Sequence, residues 1–418
     1  MDLPINHNDP TIMHIDLNSC FATIEQQAFP HLRGKPVVVA AYDSPNGCVI
    51  APSIEAKRVG IKVGMRVRDA KLLYKDVIVR TPDPPKYRAV HMQFKKIFQD
   101  YSPNVTPKSI DEAVIDFEGT PALRNRSLID IGMEIKKRLR DEIGEWISCN
   151  VGIGTNRFLA KTAASLHKPD GLDIITFKNL EKVYSCLSLL DICGINTRYE
   201  ARLNAAGIYS PMDFYRAKQI TLQKQVFKSI VGYYWYLRLR GWEIDAVDFK
   251  RKSYGQSYAL KYFTSDPAEL SRLLMKLTEK MGRRLRKSGH FATGIHIALL
   301  YQDNTFWHMG KTFDNELYTT PDLFLKAQLI LNRQPAGKKV THLAVSCFNL
   351  YPSGKDQLNL FDLNEVKRKN VSDAMDKIND KYGEYTITPA LMMGMEEKII
   401  DRVAFGGVKD LEDIYLMN

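Results

Sequence analysis

The sequence is poor in cysteine, in long apolar runs and in repetition, and each scarcity removes a class of function. Its 418 residues hold six cysteines (Cys20, Cys48, Cys149, Cys186, Cys193 and Cys347), with no C-x-x-C pair and no histidine cluster to match. That scatter excludes a zinc site or a disulfide framework and leaves reduced, mostly buried thiols. No apolar stretch approaches the ~20 residues a membrane-spanning helix needs. The opening MDLPINHNDP lacks the basic and apolar regions of a secretory signal, so the expected compartment is the cytosol. No internal repeat or low-complexity tract is present, and 44% hydrophobic with 26% charged residues is ordinary for a soluble chain. At this length two to four domains are expected, because one core rarely organises so long a chain.

What the chain does have is positive charge. The net charge is +11, and residues 363–418 carry eight Lys/Arg against eleven Asp/Glu, so the excess lies upstream. Between Lys250 and His290 stand eleven basic residues and three acids, a concentration suited to a phosphate backbone.

Periodicity orders the chain. Thr11 to Asn18 alternates, with Met13, Ile15 and Leu17 on one face and His14 and Asp16 on the other, which predicts a half-buried strand ending near Asp16. A small Gly/Pro/Val-rich unit over 28–82 contains the apolar strand KPVVVAA and a turn at SPNG. Helical spacing follows over Tyr87–Tyr101, then a hairpin (NVTPKSID and EAVIDFEG), a helix over about 121–143, a strand WISCNVGIGT and a helix NRFLAKTAASLH that stops at KPDG. Residues 178–245 are helical in pattern around CGINTRYEARLNAAGI. From Ser253 a β-α-β-β-α-β series runs to about residue 350, preceded by the basic tether VDFKRKS.

An aspartate at a strand end cannot hold a divalent cation alone. The best partners for Asp16 are Asp111 and Glu112 in SIDEAVIDFEG, adjacent acids that are costly in an apolar run unless solvated or metal-bound. Neighbours in a straight strand point oppositely, so both can serve one site only at a turn or bulge. Three such carboxylates can hold two Mg²⁺ ions about 3.5–4 Å apart; a solvated hairpin turn beside an unrelated acid explains the spacing equally. Arg157, Lys161 and Lys168 are spaced as one helix face, which a solvated surface explains equally; with Lys57 they would reach a polyphosphate from two directions.

Taken together and in order, HIDLNSCFATIE, GCVIAPSIEAKRVGIKVGM, SIDEAVIDFEG, VGIGTNRFLAKTAASLHKPDGL and CGINTRYEARLNAAGI resemble the Y-family, or translesion, DNA polymerases, and most the UmuC-type branch. The resemblance implies an α+β multidomain right hand: palm over 9–27 and 83–177, small fingers over 28–82, a helical helix-hairpin-helix thumb over 178–245, a linker at 246–252, a little finger over 253–350, and a tail over 351–418. It implies Asp16, Asp111 and Glu112 as catalytic metal ligands with the Leu17 carbonyl, Phe21 as a steric gate against a ribose 2′-hydroxyl, and Ser19, Cys20, Phe21, Lys57 and Lys168 at the triphosphate. Gly194, Ile195 and Asn196 would offer amides to a primer phosphate. Asn18 and Ile54 depart from many relatives, which carry Asp and a triphosphate-binding Tyr there, and GIN replaces the commoner GIG.

After the lead YPSGKD, QLNLFD resembles the bacterial clamp-binding peptide, with Gln357 for hydrogen bonds and Leu358, Leu360 and Phe361 for an apolar cleft. The expected activity is low-fidelity, DNA-templated primer extension past damage in the SOS response. Expected partners are primer-template DNA, dNTP, the sliding clamp, a UmuD-type accessory protein docked by the tail, and a RecA-type filament. The rivals are a palm-type nucleotide cyclase, which needs no little finger, helix-hairpin-helix or clamp peptide, and a non-catalytic clamp-bound scaffold, which has no need of all three acids.

Overall fold

The computed structural model describes residues 4–247, 251–353, 363–383 and 385–395. The chain forms two compact units, one built on residues 1–248 and the other on 249–401.

The first unit is organised around one central strand and its two antiparallel neighbours. β1 (Ile12–Leu17) lies in the middle of a five-stranded sheet, and its neighbours are the later strands β6 (Glu112–Asp116) and β7 (Cys149–Gly154), both antiparallel to it. β5 (Val105–Pro107) and β8 (Leu172–Ile174) form the edges. The alternation of β1 sends Met13, Ile15 and Leu17 into a core with Phe94, Phe98, Ile131 and Ile135, from the helices Pro84–Gln99 and Leu128–Arg138. Ile12 turns the other way and packs with Val114 and Ala160, under the helix Arg157–Leu166. That helix sits unusually close to β7: a Cβ on Gly152 would fall 2.1 Å from Ala160 O and Ala164 N. Only glycine permits the approach.

The expected helix over 121–143 is three pieces: a 3₁₀ turn Pro121–Leu123, the helix Leu128–Arg138 and a π turn Leu139–Ile143. Ser127 is the reason, since its hydroxyl accepts from Asp130 N (3.1 Å) in a capping box that starts a new helix. Asp83 similarly caps Pro84–Gln99, three residues earlier than apolar spacing alone suggested. The small unit inserted after Ala28 is a sheet in the order β3-β2-β4, made of β2 (Val37–Ala40), β3 (Val49–Pro52) and β4 (Ile78–Arg80). Of the three, only β2 was read from the sequence, from the run KPVVVAA.

The helical region that follows closes on Phe214, Phe227 and Trp235. At its turn Gly194 has φ +94° and Asn196 caps the helix Thr197–Ala205, its Oδ1 accepting from Arg198 N (3.1 Å) and Tyr199 N (3.0 Å).

The second unit is an antiparallel sheet in the order β11-β10-β12-β9, from β9 (Ser253–Thr264), β10 (His290–Tyr301), β11 (Phe306–Leu317) and β12 (Val340–Pro352). The helices Pro267–Lys287 and Thr320–Leu331 share its core through Leu274, Met281, Leu323 and Ala327. The chain order is the β-α-β-β-α-β series read from sequence.

The tail alters the expected role of charge here. A helix Leu363–Tyr382 returns to this unit, where Arg286 donates to Asp376 from Nε (2.6 Å) and Nη2 (2.9 Å) and Arg283 Nη2 reaches Asp380 at 2.8 Å. Tyr318 OH donates to Asp373 at 2.8 Å, and Met392 and Met395 join the core. Arg272 donates to the carbonyls of Leu391 and Met393. Part of the basic run between Lys250 and His290 is therefore spent on the chain's own acidic tail rather than held out for DNA. The peptide 357–362, with Gln357, Leu358, Leu360 and Phe361, lies outside the described residues.

Candidate active site

The site grows from the pairing of β1 with β6. Asp16 and Glu112 are direct register partners, so their side chains leave the same face. Asp111 precedes the strand: Lys108 N and Ser109 N both donate to Glu112 O (2.8 and 3.3 Å), and Leu17 N donates to Asp111 O (2.9 Å). This turn is the device that lets two consecutive acids approach one place. Burial pushes the Asp111 carboxyl above its ordinary pKa, the Ser109 hydroxyl opposes the rise, and the fields of Asp16 and Glu112 add to it.

Two clefts meet here and share Phe21 and Asp111. The first, about 430 Å³, is lined by Glu112, Lys108, Arg157 and Lys161. The second, about 400 Å³, is lined by Asp16, Leu17, Ser19, Lys57, Arg58 and Lys168. The acids thus form a ridge with cations on either side.

The cations do not follow the expected stripe. The helix ends at Leu166, so Lys168 leaves it and reaches Asp16 Oδ2 from the turn beyond. Lys161 instead donates to Glu112 Oε2 at 2.8 Å, and Arg157 pairs with Glu243 at 3.1 Å. Burial works against the charge on Lys161, but Glu112, by hydrogen bond and by field, holds the ammonium above its ordinary pKa. Lys57 goes the other way, lowered by burial and by the neighbouring Lys168. Arg58 lines the second cleft and was not singled out from sequence, where it is only the residue after Lys57.

Asn18 is a fastener. It donates to Asn150 Oδ1 (2.6 Å) while its own Oδ1 accepts from Ser148 Oγ (3.1 Å) and Asp170 N (2.9 Å), which fixes the turn bearing Lys168. Among the described residues the Ser19 hydroxyl is buried without a partner, and φ of +50° at Ser19 turns the chain from β1 into the helix Cys20–Ala28. First-turn amides of a helix have no intrahelical acceptor, so this bend is ready for an anion. Cys20 contributes backbone only: burial, then Asp111 and Asp16, push its thiol well up.

Phe21 is buried and stacks on Tyr87, with centroids 4.4 Å apart and planes at 12°. Tyr87 OH donates to Glu25 Oε1 at 3.0 Å, and Glu25, 1% exposed, is also held by Lys86 at 3.0 Å. No local motif signals this support, because Tyr87 lies far along the chain. His14 lies behind the acids with Nε2 3.6 Å from Glu112 Oε2; burial, then Lys161, depress it to about 3 and keep it neutral. In the helical region the Ile195 amide donates to Ile192 O (3.0 Å), so of the three amides expected to meet a phosphate this one is already committed.

Three hard carboxylates at one strand end suit a divalent cation with oxygen ligands. Among the described residues their oxygens do not form a ready cage of three or more metal-ligating side chains; lysines stand on two of them. The donor chemistry fits, and a cation would take the place of the ammoniums.

Comparison with known proteins decides the kinship. The impB/mucB/samB family model matches residues 15–165, and that family's C-terminal domain matches 251–360. A DNA polymerase IV of Pelotomaculum thermopropionicum is 31% identical over 388 residues, covering 91% of this chain and 95% of that protein. The chain belongs to the impB/mucB/samB family, the Y family of DNA-directed DNA polymerases. Among solved structures, the Y-family DNA polymerase chimera Dbh-Dpo4(243-245)-Dbh superposes with a TM-score of 0.71 at 24% identity, covering 82% of this chain and 99% of the chimera. An insertion ternary complex of Dbh DNA polymerase gives 0.55 at 23% identity, over 82% of this chain and 99% of that one. These Y-family neighbours share the mixed α+β fold, with a C-terminal little-finger-like domain. The similar sequences carry the name DNA polymerase IV, not that of the UmuC-type branch. No helix among the described residues is long and apolar enough to cross a membrane.

Proposed function

We propose that this Y-family polymerase extends a primer on DNA by two-metal nucleotidyl transfer and does so past damaged template bases. The observation that carries the reading is the ridge of Asp16, Asp111 and Glu112 between two cation-lined clefts. The cleft of Lys57, Arg58, Lys168 and the orphan Ser19 hydroxyl would take the triphosphate, with the amides of Ser19, Cys20 and Phe21. The cleft beside Glu112, Lys108 and Lys161 would take the primer end. Asp16, Asp111, Glu112 and the Leu17 carbonyl would hold two Mg²⁺, which when bound lower the primer hydroxyl's pKa and offset charge on the leaving pyrophosphate. The protein's own residues do the rest: Glu112 and Asp16 face each other across one strand pair, the lysines neutralise phosphate, and Phe21 closes the space beneath the sugar.

The palm, fingers, thumb, linker and little finger then take the residue bounds given by the motifs, with Gly194 and Asn196 at a primer phosphate. The peptide with Gln357, Leu358, Leu360 and Phe361 would tether the enzyme to the sliding clamp, raising its local concentration at primer ends. The narrower placement in the UmuC-type branch, with a UmuD-type protein, a RecA-type filament and the SOS response, rests on residue resemblance in the motifs above. Primer extension with Mg²⁺ opposite an abasic template site tests the function. Extension past the site is expected, and a full stop there on a template otherwise copied would refute the translesion reading.

A further inference from the structure

Lys161 and Lys168 stand on oxygens that a metal cation needs. Lys161 Nζ donates to Glu112 Oε2 at 2.8 Å and Lys168 Nζ donates to Asp16 Oδ2. Neither lysine is placed by chance of the surface. The helix carrying Lys161 is set by its contact with Gly152, and the turn carrying Lys168 is pinned by Asn18 to Asp170 N (2.9 Å) and by Asn150 to His167 O (3.0 Å). Both side chains keep an exit, being 37% and 44% exposed against 22% and 17% for the acids they meet. Asp111, between the paired acids, has no ion-pair partner among the described residues and bonds to Ser109 instead.

Three carboxylates crowded at a strand end repel one another, and two ammoniums relieve that repulsion. A divalent cation must therefore break two charge-assisted hydrogen bonds to gain its ligands. Lys168 has somewhere to go: it lines the same cleft as Lys57, Arg58 and Ser19, so an arriving triphosphate offers it a new anion. From these placements we propose that Lys161 and Lys168 are displaceable counter-cations of the acid ridge, which suppress cation binding to the nucleotide-free enzyme, and that Lys168, by turning to the triphosphate, makes cation and nucleotide load cooperatively. The inference rests on reading the ridge as the metal site. By linkage, whatever the nucleotide does to cation affinity the cation does equally to nucleotide affinity.

The test is Mn²⁺ binding to the full-length chain, read from the electron paramagnetic resonance signal of free Mn²⁺ without DNA, nucleotide or turnover. Methionine keeps the aliphatic stem of lysine and removes its charge. Lys161→Met and Lys168→Met should each tighten Mn²⁺ by about fivefold, the upper range for one partly exposed ion pair. Lys168→Gln is a second removal of the same charge and should behave alike. An α,β-methylene deoxynucleoside triphosphate should tighten Mn²⁺ more in the wild type than in Lys168→Met. Asp111→Ala/Glu112→Ala separates the two layers. If that double variant binds Mn²⁺ as the wild type does, the metal-site reading falls and the inference with it. If it loses Mn²⁺ while the lysine variants bind no tighter than wild type, the metal site stands and the counter-cation inference is overturned.

Discussion

Phe21 is held as much by Tyr87 as by its own helix: the rings stack at 4.4 Å, and the far side of Tyr87 is tied to buried Glu25. As the proposed gate, a ring so fixed would not step aside for a 2′-hydroxyl. Phe21→Ala should therefore lower discrimination against ribonucleotides by about 10²-fold, a loss consistent with a steric rather than hydrogen-bonding filter; competing dNTP and rNTP incorporation measures it. His91 offers a separate check on the turn that presents Asp111. It is fully buried, its Nδ1 2.9 Å from Ile110 O, and burial, opposed by that backbone contact, lowers its pKa to about 4. The folded state keeps this ring neutral, whereas the unfolded chain takes a proton below about 6.5. Its contribution is thus full above that pH and is lost as pH falls toward 4. Between pH 7 and 5 the wild type should lose about 2 kcal/mol more than His91→Gln in urea denaturation. That Asp16, Asp111, Glu112 and Phe21 would come together was legible in the sequence because they sit in short ordered motifs. Tyr87, Glu25 and the partner of Lys161 were not, since each contact joins residues far apart in the chain.

At the scale of elements, alternation and turn residues located most strands and helices, and the differences have local causes. Ser127 restarts a helix that apolar spacing alone would have run through. Lys168 looked like a member of a helical stripe, but the helix stops at Leu166 and the residue works from a turn. β3 and β4 are four and three residues long and lack the run of three valines by which the equally short β2 was read. Nothing in the sequence pattern signalled that the tail, expected to help dock an accessory protein, pairs its Asp376 and Asp380 with Arg286 and Arg283. Met392, 2% exposed, belongs to the core of the second unit. Met392→Ala should cost that unit about 2–5 kcal/mol, measured by chemical denaturation. A stability equal to wild type would mean the tail does not pack there.

For the whole molecule the relevant quantity is the net charge of +11, which already counts the tail acids paired with the Pro267–Lys287 helix. Affinity for primer-template DNA should fall linearly in a plot of log affinity against log salt, with the negative slope of counterion release. A flat plot would remove the electrostatic account of DNA binding. The ridge where β1 meets β6 is tested by single-nucleotide primer extension under single-turnover conditions with Mg²⁺, comparing wild type with Asp111→Ala/Glu112→Ala after confirming equal DNA binding. The rate of the double variant should fall by at least about 10³-fold, because two of the three carboxylates proposed to hold the cations are gone. Equal rates for the two proteins would contradict it.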